Sequence, residues 1–391
     1  DATAPIVSIY FLQIYSDFMK CILGMVALLL LAASCSNKKE NTETSEELLE
    51  IIHRVNQRYQ SMHKPQVRSF WDNAVYHTGN MEVCALTGNK DYLQYSIDWA
   101  DYNQWKGATS NNKAEWRSTY GESPEYVLFG DWQVCFQTYA DLYKLDPDTI
   151  KIARAREVME YQMSTSKLDY WHWVDALYMV MPVMVKMYDI TKNPLYLEKL
   201  HQYLTVTDSI MYDREVGLYY RDAKYPYPFH KTINGKKDFW SRGDGWAFAA
   251  FAKVLKQLPA EDKYREEYIT RFQTMAKSIA ACQQPEGYWT RSLIDPEQAP
   301  GPETSGTALF TYGFLWGINN GLLNADIYSP IVEKAWNYLK TTALQADGKI
   351  GYIQPVGEKA IPGQVVDANS CFNFGIGAFL LAACERVRFL Q

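Results

Sequence analysis

The sequence predicts an all-α fold, an (α/α)6 barrel made of repeated helical hairpins. Segments with apolar residues at positions i, i+3, i+4 and i+7 recur along the chain, as in amphipathic helices, without sustained strand alternation. Turns recur as well, because Gly217-Leu-Tyr, Gly287-Tyr-Trp and Gly351-Tyr-Ile each follow a predicted helix, about 65 to 70 residues apart. Repeated helix pairs form either an open solenoid or a closed ring. The dense, dissimilar motifs of the loops favour the ring, in which they would line one mouth.

Composition and charge narrow the function. With 391 residues, 47% of them hydrophobic and 21% charged, the chain has enough apolar material for a large core and is not a disordered protein. Its net charge of -6, without a basic run, argues against nucleic acid as a partner. The seven cysteines are widely spaced and the six histidines lack metal-ligand spacing, so no disulfide framework, metal or other cofactor is predicted.

The N-terminal region is predicted to direct export and anchoring. Residues 1–18 precede Met19, a candidate start, and are interpreted as translated upstream sequence. Residues 19–34 resemble a bacterial lipoprotein signal peptide, with one lysine, an apolar run too short to span a bilayer, and small residues before Cys35. We therefore expect a lipid on Cys35 that holds an exported protein to a bacterial membrane, in the periplasm or at the cell surface. An ordinary secretion signal with an incidental cysteine is the alternative.

Folded structure is predicted to begin after a short tether. Residues 35–46 are mostly polar and charged, which suits a flexible segment. Thr44 and Glu47 have the spacing of a capping box ahead of an apolar-periodic run, so the first helix is predicted there. One barrel of ordinary length accounts for the remainder, residues 47–391, as a single domain.

The first candidate for chemistry is Asp175, in the segment YWHWVDALYM. If this segment is helical, Trp171 and Met179 lie one turn on either side of Asp175, and Tyr178 shares its face. A carboxylate among such groups loses solvation, which raises its pKa and makes it a usable general acid near neutral pH. A core aspartate that caps a helix or pairs with an arginine is an equally good interpretation.

Asp131 is the second candidate, in the segment FGDWQV at the start of a predicted helix. Gly-Asp before a helix is good N-cap chemistry, so capping alone explains this residue. A cap at the mouth of a barrel also lies beside the cavity, where it is available to a ligand.

A third motif, FWSRGDGW, places Arg242 between Trp240 and Trp246 in a glycine-containing turn. The planar guanidinium suits a carboxylate, and the two indoles offer faces for stacking. The alternative is an arginine that is ion-paired to Asp131 or Asp175. Further candidates for ligand binding, each more often structural when taken alone, are Trp71, Tyr76, His77, Trp171, Tyr220, Arg221, Asp222 and residues 303–306.

Seven blocks of the sequence together carry a family resemblance. In chain order they are WDNAVYHTGN, GDWQVCFQTYADLY, WHWVDALYM, GLYYRD, FWSRGDGWAFA, ETSGTALF and FNFGIGAFLLA. Over roughly residues 47–391 the chain resembles glycoside hydrolase family 105, the unsaturated rhamnogalacturonyl hydrolases, which are related to the unsaturated glucuronyl hydrolases of family 88. The resemblance implies an (α/α)6 barrel that removes a terminal 4,5-unsaturated uronic acid from rhamnogalacturonan, pectin-type or related oligosaccharides.

The resemblance also implies a mechanism, in which the C4=C5 double bond is hydrated and the anomeric carbon is not attacked. An aspartate protonates C4 and then, as a base, helps water add at C5. By motif match Asp175 has this acid/base role and Asp131 is the second carboxylate. Arg242, with Trp240 and Trp246, matches the segment that binds the uronate.

Three departures from the family pattern leave the neighbouring sugar open between rhamnose, galactose and others. Arg221 stands where some members have histidine, Asp244 stands where asparagine is common, and the residues before Asp175 lack a histidine that some relatives use. Two other functions also fit parts of the sequence. One is a surface glycan-binding lipoprotein without catalysis, and the other is a different (α/α)6 activity such as a mannanase, an epimerase or a lyase.

Overall fold

The structure is a computed structural model that describes residues 43–391, of which Ser45–Gln391 form one compact unit. The predicted upstream segment, the signal peptide and Cys35 lie outside the described residues. The predicted first helix is confirmed, since it begins at Ser45. The helices and strands of the described part are α1 (Ser45–Met62), α2 (Trp71–Thr87), α3 (Lys90–Tyr102), α4 (Cys135–Leu145), α5 (Ile150–Ser164), α6 (Asp175–Thr191), α7 (Leu195–Met211), β1 (Tyr212–Asp213), β2 (Leu218–Tyr219), α8 (Ser241–Gln257), α9 (Arg265–Ala281), α10 (Thr304–Asn319), α11 (Ala325–Tyr338) and α12 (Asn373–Phe389).

The even-numbered helices form the inner layer of the barrel, and the odd-numbered helices form the outer layer. Each inner helix packs against the next, and α12 packs against α2, so the ring is closed. Each outer helix packs against a neighbouring inner helix. The inner helices are buried on all sides, as in α10, where every residue from 304 to 317 is buried. The predicted (α/α)6 barrel is confirmed, and its core lies within the inner ring.

Two glycines let the first and last inner helices approach closely. A Cβ atom at Gly79 would lie 2.4 Å from the carbonyl oxygen of Gly377, and one at Gly377 would lie 2.5 Å from the carbonyl oxygen of Val75. Backbone and side-chain atoms cannot approach so closely, and larger residues here would push α2 and α12 apart. The ring therefore closes at a glycine contact.

The hairpin of β1 and β2 is fastened to the barrel by Asp244. The backbone N–H of Tyr219 donates to Asp244 Oδ1 at 2.8 Å. Asp244 is fully buried, and its Oδ2 has no hydrogen-bond partner among the described residues. Burial raises the pKa of Asp244 well above its ordinary value and so favours the protonated form of this carboxyl. In its neutral form it holds the strand that leads to Arg221.

We expect Asp244→Asn to keep the hairpin in place and to make unfolding less dependent on pH. Below the ordinary aspartate pKa of about 3.9, this carboxyl is protonated in both the folded and the unfolded wild-type chain. Above that pH only the unfolded chain ionises. Wild-type stability then falls by up to about 1.4 kcal/mol per pH unit until the raised folded pKa is reached.

Denaturant unfolding at about pH 4 and about pH 8 measures this effect as the difference between variant and wild type. The stability of Asp244→Asn relative to the wild type should increase as the pH rises. Asp326→Asn, at an exposed position in the first turn of α11, is the matched control and should show no such trend. A variant that loses equal stability at both pH values would contradict a neutral carboxyl at Asp244.

Candidate active site

A cavity of about 390 Å³ opens at the end of the barrel where the inner helices begin. Its volume lies in the range typical of small-molecule sites. The segments that precede several inner helices form its walls. Its lining residues are Trp71, Tyr120, Phe129, Asp131, His172, Trp173, Asp175, Arg221, Lys224, Trp240, Arg242, Val356, Gly357 and Glu358.

The N-terminal ends of three inner helices line this cavity, at Trp71 of α2, Asp175 of α6 and Arg242 of α8. The first turn of a helix leaves backbone N–H groups without intrahelical partners and carries a partial positive charge. Several such ends around one cavity favour an anionic ligand. The first residues of the six helices are Trp71, Cys135, Asp175, Ser241, Thr304 and Asn373.

The two candidate carboxylates reach the cavity from different elements. Asp175 is the first residue of α6, and its side chain is 15% exposed. The prediction that a helix extends on both sides of Asp175 is wrong on the N-terminal side, because Trp171 precedes the helix. Asp131 lies in a 3-10 turn, Gly130–Trp132, and α4 begins only at Cys135, without a side-chain cap. Helix capping therefore does not account for Asp131.

Burial and mutual repulsion set the protonation of this pair. Burial raises the pKa of Asp175, and it raises the pKa of Asp131 well above the ordinary value, with a further contribution from the charge of Asp175. Arg221 opposes both effects, since its Nε lies 3.8 Å from Asp175 Oδ2. Neighbouring carboxylates titrate as a pair, and burial favours the form of this pair that still holds a proton. The cavity thus contains one carboxyl that can act as an acid and one that can act as a base.

Arg221 is held in place by acidic groups at the cavity rim. Its Nη1 donates to Asp222 Oδ2 at 2.6 Å and lies 3.5 Å from Glu358 Oε2. The backbone also fixes its position, because the N–H of Val174 donates to the carbonyl oxygen of Arg221 at 2.8 Å. This bond joins the exit of the hairpin to the residue before Asp175. Arg221 and Asp175 are therefore positioned together.

Arg242 is buried near the carboxylate pair without forming an ion pair to it. Its Nη1 and Nη2 donate to the carbonyl oxygens of Gln354 and Pro355 at 2.7 and 2.9 Å. The carboxylate found within 4.0 Å of Arg242 is that of Glu303. The guanidinium carbon lies 4.6 Å from the ring centroid of Trp240, which also lines the cavity. Arg242 thus fixes the rim segment at residues 354–355 to the cavity wall.

The structure divides the predicted binding residues into two groups. The cavity contains Trp71, Trp240, Arg221 and Arg242, whereas the others, Asp222 and residues 303–306 among them, are buried and do not line it. In the core, tyrosine and histidine side chains hydrogen-bond to neighbouring helices or the hairpin, and the indoles pack against tyrosine rings. These positions face the next helix rather than the mouth. They are Tyr76, His77, Trp171, Tyr220 and Trp246.

Several lining residues were not identified from the sequence. Trp173 stacks on Phe129 with ring centroids 4.5 Å apart. Neither helical nor extended spacing in WHW separates Trp173 from the buried Trp171, because in an extended segment residues two apart point to the same side. Glu358 offers no local signal, since its partner Lys224 lies 134 residues away in sequence. The other lining residues that were not identified from the sequence are Tyr120, His172, Val356 and Gly357.

Within residues 43–391, no group of three or more His, Cys, Asp or Glu side chains is arranged to hold a metal ion. The same described part contains no helix that is both long and apolar enough to cross a membrane. Its cysteines are unpaired, namely Cys84, Cys135, Cys282, Cys371 and Cys384.

Known proteins are similar to this chain in both sequence and fold. The family model described as Glycosyl Hydrolase Family 88 matches residues 45–390. An unsaturated 3S-rhamnoglycuronyl hydrolase from Formosa agariphila is 31% identical over 325 residues, which are 81% of this chain and 83% of that protein. A solved structure named a polysaccharide lyase is 71% identical, covers 88% of this chain and 98% of its own, and has a TM-score of 0.87. A possible member of glycoside hydrolase family 105 from Salmonella enterica shares the fold at 18% identity, with a TM-score of 0.70 over 89% of this chain and 96% of its own.

These findings confirm the resemblance that the seven sequence blocks carry. The family model that matches is that of family 88, which is related to family 105. The match extends over nearly the whole described barrel and includes both carboxylates of the cavity. The chain belongs to glycosyl hydrolase family 88 and is a glycosidase.

Proposed function

We propose that the protein removes a terminal 4,5-unsaturated uronic acid from oligosaccharides by hydrating its C4=C5 double bond. The observation that carries this proposal is the pair Asp131 and Asp175, whose pKa values burial raises, in a cavity where inner helices begin. Protonation of a carbon needs a carboxyl that still holds its proton near neutral pH. Removal of an unsaturated uronic acid agrees with the family and with the name of the Formosa agariphila relative.

The cavity suits a flattened, anionic sugar. The carboxylate of the uronic acid is attracted by the positive helix ends and by Arg221. The double bond flattens the sugar ring, which fits against the indoles of Trp71 and Trp240 on the cavity wall. Arg242 supports this wall from behind through its contact with Trp240.

In the proposed reaction Asp175 gives its proton to C4. The electron pair of the double bond forms the new C–H bond, and the ring oxygen stabilises the cation left at C5. Water then adds to C5 and releases a proton to the carboxylate, which restores the acid. The resulting hemiketal opens to a ketone, and the hemiacetal left at C1 expels the next sugar. Asp131 and Arg221 keep the charge of the site balanced while the proton moves.

We propose rhamnose as the next sugar. The relative from Formosa agariphila is named a rhamnoglycuronyl hydrolase. The stacked rings of Phe129 and Trp173 give the cavity an apolar wall. The methyl group of a 6-deoxy sugar lies against such a wall at a lower desolvation cost than a hydroxymethyl group does.

β-Elimination is a second candidate, because the 71% identical structure is named a polysaccharide lyase. A lyase removes the C5 proton with a base and expels the sugar at C4, which creates the double bond that hydration destroys. Tyr120 and His172 line the cavity and have side chains of the kind that supply such a base. The two activities change the ultraviolet absorbance of the double bond in opposite directions.

With a lyase-generated unsaturated disaccharide as substrate, we expect the wild-type protein to decrease the ultraviolet absorbance. Asp175→Asn should lower kcat by about 10²–10⁴-fold, because an amide cannot transfer the proton. Asp326→Asn, remote on α11, is the control and should keep the wild-type rate. A rise in absorbance with saturated polysaccharide would establish the lyase instead. A near-wild-type rate for a folded Asp175→Asn protein would place the acid elsewhere.

We expect Arg221→Gln to move the alkaline limb of the kcat/KM profile to higher pH. Arg221 lowers the pKa of both Asp175 and Asp131, so its removal lets the pair keep its proton at higher pH. The height of the profile should also fall, because the substrate carboxylate loses a partner. Lys224→Gln removes a charge from the same rim and should leave the limb in place. A shift of the Arg221→Gln limb to lower pH would contradict this assignment.

We further propose that the protein is exported and held to a bacterial membrane by a lipid on Cys35. The support is the sequence of residues 19–34, which lies outside the described residues. Cys35→Ala should move the protein from the membrane fraction of cells to the soluble fraction. Retention of this variant in the membrane fraction would contradict lipidation at Cys35.

A further inference from the structure

We propose that Tyr227, Phe229 and Lys231 bind the distal part of an acidic oligosaccharide whose terminal uronic acid occupies the cavity. These three residues, in the loop between β2 and α8, are called the mouth platform. The inference rests on the proposed function and extends it past the sugars on either side of the cleaved bond.

The mouth platform consists of side chains that the fold leaves in solvent. Phe229 is 93% exposed and Tyr227 is 43% exposed. Lys231 Nζ lies 5.2 Å from the ring centroid of Tyr227. Ile233, later in the same loop, is also exposed. Clustered exposed apolar groups of this kind mark binding surfaces, and aromatic rings can stack on the C–H faces of sugars.

Hydrogen bonds hold the loop in one shape. The N–H of Phe229 donates to the carbonyl oxygen of Pro226 at 3.0 Å. His230 Nε2 lies 2.7 Å from Asp238 Oδ2, and the N–H of Ile233 donates to a side chain before α10 at 2.9 Å. A surface that already has its binding conformation loses little entropy when a sugar packs on it.

The mouth platform follows the cavity-lining residue Lys224 closely in the chain. Lys224 lines the cavity and donates to Glu358 Oε2 at 3.0 Å, and the hydroxyl of Tyr225 donates to Glu358 Oε1 at 3.0 Å. From Lys224 to Phe229 the chain advances five residues, which span at most about 18 Å. An oligosaccharide that leaves the cavity past Lys224 therefore meets the mouth platform within a few sugar units.

The charge of the loop fits an anionic sugar chain. Residues 223–237 contain four lysines and no acidic residue, although the whole chain has a net charge of -6. Lys236 and Lys237 pair with acidic residues of neighbouring segments. Lys231 has no acidic partner within the described residues, so it can pair with a carboxylate or a sulfate ester on the distal sugars.

The test compares a disaccharide with a tetrasaccharide that has the same unsaturated end. For Phe229→Ala we expect the KM of the tetrasaccharide to rise about threefold to tenfold, while the KM of the disaccharide stays the same. Phe229→Trp should restore the tetrasaccharide KM, because stacking needs only a ring. Tyr102→Ala, at an exposed tyrosine that ends α3, is the matched control and should affect neither substrate.

Disaccharide turnover by the wild type separates this inference from the proposed function. If no turnover occurs, the proposed function fails, and calorimetric titration of a saturated tetrasaccharide of the same sugars still tests the mouth platform. Weaker binding to Phe229→Ala than to the wild type supports the inference. Equal KM values or equal affinities for the longer sugar in both proteins overturn it. Unchanged oligosaccharide kinetics with lost binding to anionic vesicles, or with lost self-association, also overturn it, because the surface then serves a lipid or a second copy.

Discussion

The closed ring of inner helices is the constraint on which the rest of the structure depends. The ring closes where Gly79 of α2 faces Gly377 of α12, a contact that leaves no room for a side chain. Because an outer helix returns the chain after each inner helix, the inner helices run in one direction and begin at one end. That end gathers the segments before several helices around a single cavity, where the helix dipoles add partial positive charge. An anionic sugar is therefore favoured there before any side chain is considered.

Within the cavity, the pKa values of the two carboxylates depend on the balance between burial and the positive charge of Arg221. Burial favours the neutral forms of Asp131 and Asp175, and the repulsion between them adds to this effect at Asp131. The charge of Arg221 lowers the pKa values that burial raises. Arg221 lies 3.8 Å from Asp175, however, and its hydrogen bond is to Asp222. A guanidinium in direct contact would lower the carboxylate pKa further, whereas in this arrangement the effect of burial prevails and both pKa values are raised. The same physics raises the pKa of Asp244 and favours its neutral form.

The sequence indicated the two catalytic candidates better than it indicated the binding surface. Asp175 and Asp131 lie together in the cavity, as the ordered motifs implied, although α6 begins at Asp175 rather than before it. The assumption of a continuous helix selected Trp171, which is buried, and passed over Trp173, which lines the cavity. Helical spacing holds only within a helix, so an error in the helix boundary selects the wrong tryptophan.

By itself, the sequence determined the helical repeat, the barrel class and the family, because periodicity and ordered motifs are local properties of the chain. It could not decide which aromatic side chains reach solvent. Trp246 packs in the core while Trp240, in the same motif, lines the cavity. The tertiary structure alone brought Glu358 to Lys224 and Tyr225 and left Phe229 exposed at the mouth. Burial and ion pairing at these positions depend on segments more than a hundred residues apart, and only the closed ring brings such segments together.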